Sequence, residues 1–220
     1  MIVERPSPNF GPRTAAVNIL LLHYTGMPTA EMALERLTDP ASQVSCHWLI
    51  DEDGTIHRLV AEDMRAWHAG KSYWAGERDI NGRSIGIELV NPGHEWGYRP
   101  FPPAQMAALA ELAAGILARH AIPATRVLAH SDVAPERKQD PGELFDWAWL
   151  ARHGIGLWPA VDAPARPVDP AAALVAIGYE TAAPASIAAF QRRYRPGRID
   201  GVIDEETAHR IAQTASLHGI

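Results

Sequence analysis

The sequence predicts a mixed α/β domain, a central β-sheet flanked by helices, followed by a small three-helix unit. Three observations carry this. Short apolar runs alternate with a longer helix-spaced segment up to Trp158. A proline-studded stretch then interrupts every hydrophobic period. Residues 171–220 hold only helix-spaced segments. Of the 220 residues, 47% are hydrophobic and 21% charged, the balance of an ordinary globular chain, which excludes disordered and fibrous classes.

The elements follow in order. Val17 to Leu22 is an apolar run ending at His23, the pattern of a strand buried on both faces. Val44 to Ile50 and Thr55 to Val60 flank the turn-forming cluster Asp51 to Gly54 and read as a hairpin. Ser84 to Val90, with isoleucines at alternate places, is another strand. Between Pro103 and His120 the spacing of Met106, Leu109, Ala113 and Ile116 predicts an amphipathic helix. Arg126 to Ala129 is a short strand before His130. Pro159, Pro164, Pro167 and Pro170 mark a semi-rigid linker. Helices are then expected over 170–178, 185–194 and 204–217, the last with Asp204, Glu205 and Glu206 at its dipole-favoured start. The expected units are 1–158, a linker over 159–170, and 171–220. No hydrophobic pattern crosses the linker, so 1–158 is expected to fold alone and the tail to be an accessory module.

Charge and cysteine content narrow the function. The formal net charge of −6 removes the electrostatic footing of a nucleic-acid binder, and the tail, with five basic and five acidic residues, is neutral. Cys46 is the single cysteine, so neither an internal disulfide nor a cysteine-rich zinc site can form, and any metal must be held by His and carboxylate. No run approaches the ~20 apolar residues that span a bilayer, and the first residues lack the apolar core of a secretory signal. A cytoplasmic protein is expected; the alternative is a periplasmic one whose export signal has been removed.

The densest chemistry lies between His130 and Gly142. His130 follows an apolar strand, Asp140 follows a proline-containing loop, and His23 ends another buried strand. Strand ends hold side chains at fixed places on a sheet rim, and two imidazoles with one carboxylate form a set that holds a catalytic zinc. On spacing alone, an alternative stands: His130 capping a turn and Asp140 capping the segment that Pro141 opens. Glu88 points away from the face of Ile87 and Leu89, and a carboxylate in so apolar a strand needs either a partner such as arginine or a function.

The segments LLLHYTGM, VSCHWLIDEDGTIHRLV, RAWHAGKSYWAG, IN-x-x-SIGIELVNPG and HSDVAPERKQDPG-x-x-FDW resemble, in order over about residues 17–150, the zinc-dependent N-acetylmuramoyl-L-alanine amidases, relatives of the peptidoglycan recognition proteins. The resemblance implies that fold, and one Zn²⁺ per chain held by His23, His130 and Asp140. It implies hydrolysis of the amide joining N-acetylmuramic acid to L-alanine of the stem peptide, with muropeptides or peptidoglycan as partner. Glu88 falls at the family's general base. Lys138 falls at its basic residue beside the metal, whereas Arg137 next to it reads as a solvated loop residue. Arg65, Trp67, His68 and Asn81 fall in motifs that line the substrate cleft, with Asn81 either touching substrate or ordering the loop. His47 matches a structural or supporting histidine. His57, His94, His120 and His153 have no motif and are expected on the surface or in the core. Cys46, where a related phage lysozyme has a catalytic tyrosine, reads as a packed side chain.

The tail segments LVAIGY, SIAAFQRRY and IDGVIDEETAHRI resemble a three-helix peptidoglycan-binding domain, with Tyr179 and Phe190 in its core and Gln191, Arg192 and Arg193 as candidates to reach a ligand. Two other classes compete with the amidase. A non-catalytic peptidoglycan binder would have lost a metal ligand, and a zinc peptidase of the HExxH type lacks its motif here. Within the amidases, a cytoplasmic enzyme recycling 1,6-anhydro-muropeptides is expected, and an exported enzyme acting on intact wall is the alternative that the tail favours.

Overall fold

A computed structural model describes residues 1–160, 163 and 165–220 of the chain; Val161, Asp162 and Pro164 of the predicted linker lie outside the described residues. The strands are β1 (Ile2–Glu4), β2 (Phe10–Pro12), β3 (Ile19–Tyr24), β4 (Trp48–Ile50), β5 (Ile56–Arg58), β6 (Met64–Ala66), β7 (Ser84–Leu89) and β8 (Val127–Ala129). Six of them form one sheet in the order β1-β5-β4-β7-β3-β8, antiparallel only between β4 and β5; β2 and β6 make a separate antiparallel ribbon. The predicted mixed sheet is present, with the long apolar runs at its centre. The helices are α1 (Ala30–Thr38), α2 (Ile80–Arg83), α3 (Gly93–Trp96), α4 (Pro103–His120), α5 (His130–Val133), α6 (Trp147–Arg152), α7 (Pro170–Ile177), α8 (Pro184–Tyr194) and α9 (Glu205–Leu217).

Alternation along the central strands divides the core. Leu20 and Leu22 of β3, Ile85, Ile87 and Leu89 of β7, and Val127 and Ala129 of β8 face one side, where α4 supplies Met106, Leu109, Ala113 and Ile116. The pleat sends Ile19, Leu21 and His23, and with them Gly86 and Glu88, to the other side. That second side is covered in two places. Helix α1 packs Ala33, Leu34 and Leu37 on Leu49 and Val90. Farther along, the tail helices pack Leu174, Ile177, Phe190 and Ile211 on Ile19, Leu21 and Leu128.

This last contact corrects one expectation. An apolar pattern does cross the proline-rich stretch, because three short helices cannot close their apolar faces on one another alone and the sheet supplies the remaining surface. Trp158, at the start of that stretch, stacks near Tyr194 of α8 with ring centroids 5.7 Å apart.

Candidate metal centre and cleft

The uncovered strip of the second face holds the site. β3 and β7 run parallel with His23 opposite Glu88, so the two side chains leave the same face side by side. β8 ends at Ala129, and His130 opens the single turn α5. The loop that follows returns Asp140 to that turn, where its carbonyl accepts the Ser131 N–H at 3.0 Å. All three side chains are buried.

Three atoms converge here. His23 Nδ1 lies 2.9 Å from His130 Nδ1 and 3.1 Å from Asp140 Oδ2, and His130 Nδ1 lies 3.0 Å from the same Oδ2. The outer ring nitrogens define the proton positions. His130 Nε2 sits 3.0 Å from the Ala69 carbonyl, which can only accept, so Nε2 carries the proton and Nδ1 of the neutral ring is a bare lone pair. For His23 the chain is longer. Ser84 donates its hydroxyl proton to the Ile80 carbonyl at 2.7 Å, so it accepts from His68 Nε2 at 3.3 Å. His68 Nδ1 is then an acceptor for His23 Nε2–H at 3.0 Å, and His23 Nδ1 is bare as well. Burial, and then the neighbouring His130, push the His23 imidazolium down to about 4, so the ring is neutral. Burial alone would raise Asp140, but His130 and His23 hold its carboxyl well below the ordinary range.

Two nitrogen lone pairs and a carboxylate therefore face one point with no proton between them. That arrangement is satisfied by a cation, and His23, His130 and Asp140 form the group among the described residues that could hold a metal.

A cleft of about 810 Å³ opens over this point, walled by Met27, Met32 and Arg36 on and before α1, by His94 and Trp96 of α3, and by the 137–140 loop. Glu88 and Lys138 both line it. Glu88 Oε2 is buried with no hydrogen-bond partner among the described residues, and burial, reinforced by Asp140, raises its carboxyl well above the usual range. The arginine partner that would make it structural is absent among the described residues.

The other expected residues separate into two groups. Trp67 and His68 line the cleft. His68 occupies the space above Gly86, where a Cβ would come within 2.5 Å of its ring. Arg65 and Asn81 do not line the cleft. Arg65 is spent on Asp79, its NH2 3.0 Å from Oδ1, and Asn81 Oδ1 accepts the backbone N–H groups of His68 and Ala69 at 3.0 and 2.8 Å. Asn81 thus orders the loop that carries the cleft residues. His47 is fully buried, accepts the Gly86 N–H at its Nδ1, and is structural.

Two residues carried no usable sequence signal. His94 reaches the cleft wall, bonded to Tyr24 Oη at 2.9 Å and to Glu143 at 3.1 Å. Arg137 is exposed, as expected, yet it donates to the Ala69 and Lys71 carbonyls, the first of which also accepts from His130. Only its place next to Lys138 inside the motif could have hinted at this.

The tail candidates are also placed. Gln191 is fully buried and bonds to Asp200, Gly201, Val202 and Thr207 within the tail. Arg193 is buried against α5. Neither is available to a ligand.

With this geometry established, relatives decide the family. Residues 13–143 match the family model of N-acetylmuramoyl-L-alanine amidases. The chain belongs to the N-acetylmuramoyl-L-alanine amidase family. It is an enzyme of that class. It is 40% identical to the amidase AmiD of Escherichia coli over 87% of this chain and 79% of that protein. It is 33% identical to the 1,6-anhydro-N-acetylmuramyl-L-alanine amidase AmpD of Haemophilus influenzae, over 64% of this chain and 85% of the relative. Among solved structures, AmiD of E. coli, in complex with anhydro-N-acetylmuramic acid-L-Ala-D-γ-Glu-L-Lys, superposes with a TM-score of 0.79 at 37% identity, covering 94% of this amidase and 91% of that chain. AmpDh3 of Pseudomonas aeruginosa, in complex with anhydromuramic pentapeptide, gives 0.80 at 32% identity, covering 91% and 92%. No helix among the described residues is long and apolar enough to cross a membrane.

Proposed function

We propose that this amidase uses one zinc ion, held by His23, His130 and Asp140, to hydrolyse the amide between the lactyl group of 1,6-anhydro-N-acetylmuramic acid and L-alanine of the stem peptide. The observation that carries the reading is the trio of unprotonated donor atoms within 3.1 Å of one another at the floor of the cleft. Zinc bound there supplies a Lewis acid for the amide carbonyl and brings the pKa of a water towards neutrality.

The chain's own groups do the rest. Glu88, which lines the cleft and keeps one oxygen without a partner, takes the proton of the attacking water and returns one to the leaving amine. Lys138 places a cation over the same floor, where it offsets charge developing on the former carbonyl oxygen. Trp67 and His68 border the substrate. Arg65 and Asn81 act on it only through the loop they hold.

The anhydro sugar is supported by the ligands of the AmiD and AmpDh3 complexes. Small anhydro fragments are products of wall breakdown, so the role is peptidoglycan recycling, and the cytoplasmic setting expected from the sequence belongs to the same proposal. The division into 1–158, 159–170 and 171–220 also stands as a proposal about sequence units, with the shared core joining the outer two.

Defined muropeptides with and without the 1,6-anhydro end, analysed by mass spectrometry, test the reading. Release of an intact peptide beginning with L-alanine, faster from the anhydro form and lost on chelation, is expected. Cleavage between stem residues, or turnover insensitive to chelators, would overturn it.

A further inference from the structure

A second buried polar cluster lies behind the metal centre, and half of it comes from the tail. Asp132 of α5 is 2% exposed. Its Oδ2 accepts the Ala129 N–H at 2.9 Å and Arg193 NH1 of α8 at 2.9 Å, and its Oδ1 accepts the hydroxyl of Tyr179 at 2.6 Å. Arg193 NH1 also donates to the Val127 carbonyl at 3.0 Å, and its guanidinium lies 3.9 Å from the ring centroid of Trp147. One tail arginine thus ties the first residue of β8 to the single turn that follows it. His130 stands between those two anchor points, two residues from Asp132.

We propose that Arg193 and Tyr179 are positioning residues for the metal centre: by fixing Asp132 they set the place of the His130 turn, and so metal affinity and turnover. The inference rests on His130 being a zinc ligand, and goes beyond that reading by giving the tail a part in the site.

The physical case has two parts. First, α5 is one turn long, too short to hold its own position through internal hydrogen bonds. Its backbone placement must come from outside, and the Asp132 cluster supplies it, while the Ala69 carbonyl orients the imidazole ring. Second, a fully desolvated Arg–Asp pair with every nearby acceptor engaged is directional, and a donor spanning two backbone elements tolerates little displacement. None of α7, α8 and α9 lines the cleft; apart from this cluster, Arg192 of α8 approaches its rim through Glu143, 3.8 Å away, which in turn bonds to His94.

The test uses the full-length chain with Tyr179→Phe, Arg193→Lys and Arg193→Met. Zinc affinity is read by competition with a chromogenic chelator, alongside kcat on an anhydro-muropeptide and melting of the zinc-free proteins. Arg193→Met should weaken zinc about 10–100-fold, the range for groups that orient metal ligands. Arg193→Lys, which keeps the charge but loses the planar guanidinium that lies over Trp147, should recover part of the loss. If Arg193→Met does not fold, the other two variants decide. Folded Tyr179→Phe and Arg193→Lys proteins with wild-type zinc affinity and kcat would overturn the proposal while leaving the ligand reading intact. A wild-type protein that takes up no zinc would remove the ligand reading and this inference with it.

Discussion

Two buried polar clusters flank the turn that carries His130, and they use nearly the same chemistry. On the cleft side, His23, His130 and Asp140 bring acceptor atoms together with no donor among them, and Glu88 beside them keeps an unpartnered oxygen. On the tail side, both Asp132 oxygens are satisfied by Arg193, Tyr179 and a backbone N–H, and the atom left over is a donor, Arg193 Nε, not an acceptor. The difference lies in the acceptors: bare around His130, engaged around Asp132. A buried polar group costs free energy unless its bonds are made. Acceptors that folding brings together without a donor are therefore waiting for a cation from outside, and a carboxylate whose two oxygens are both engaged is scaffold.

The comparison breaks most decisively at His130. His130→Ala should reduce bound zinc from one per chain to none and abolish turnover, since two remaining donors do not make a tetrahedral site. Metal analysis of the purified variant checks this, and undiminished zinc would contradict the assignment. Glu88→Gln should keep zinc and fold while kcat falls by about 10²–10⁴, the usual contribution of a proton-transfer group. Steady-state kinetics on a zinc-verified sample reads it, and near-normal kcat would assign proton transfer elsewhere. The smallest effect sharpens the other side of the comparison. Tyr179→Phe strips one donor from a saturated carboxylate and should lower the unfolding free energy by about 1–3 kcal/mol. Denaturant melts of the zinc-free protein measure it; an unchanged midpoint would mean that the scaffold cluster has slack.

Much of the fold is legible because local signals coincide with tertiary demand. The apolar run before His23 can only be a central strand, and α4 begins and ends at the residues its spacing predicts, Pro103 and His120. Helix α1 has a weak signature in the sequence although Thr29 caps it by accepting the Met32 N–H, because only Ala33, Leu34 and Leu37 of its residues are buried. Within the site, His23, His130, Asp140 and Glu88 are visible from strand ends and motif order. Partner choice is not. Arg65 in its motif gives no sign that Asp79 engages it, and His94 meets Glu143 across 49 residues of chain. Arg193 is the clearest case. A double arginine near a helix end reads as solvent-exposed, and only an aspartate 61 residues upstream makes its burial possible.

The cluster of Leu174, Ile177 and Phe190 with Ile19, Leu21 and Leu128 makes the tail an appendage in sequence alone. Energetically it is part of the wall behind the sheet. A chain built this way should lose its structure in a single cooperative transition, because stripping the tail uncovers apolar side chains of the central strands. It also cannot be treated as a shuffled cassette. A homologous tail grafted from elsewhere would have to match the sheet's surface relief and bring an arginine to the level of Asp132, so the two halves of this amidase are bound to diverge together.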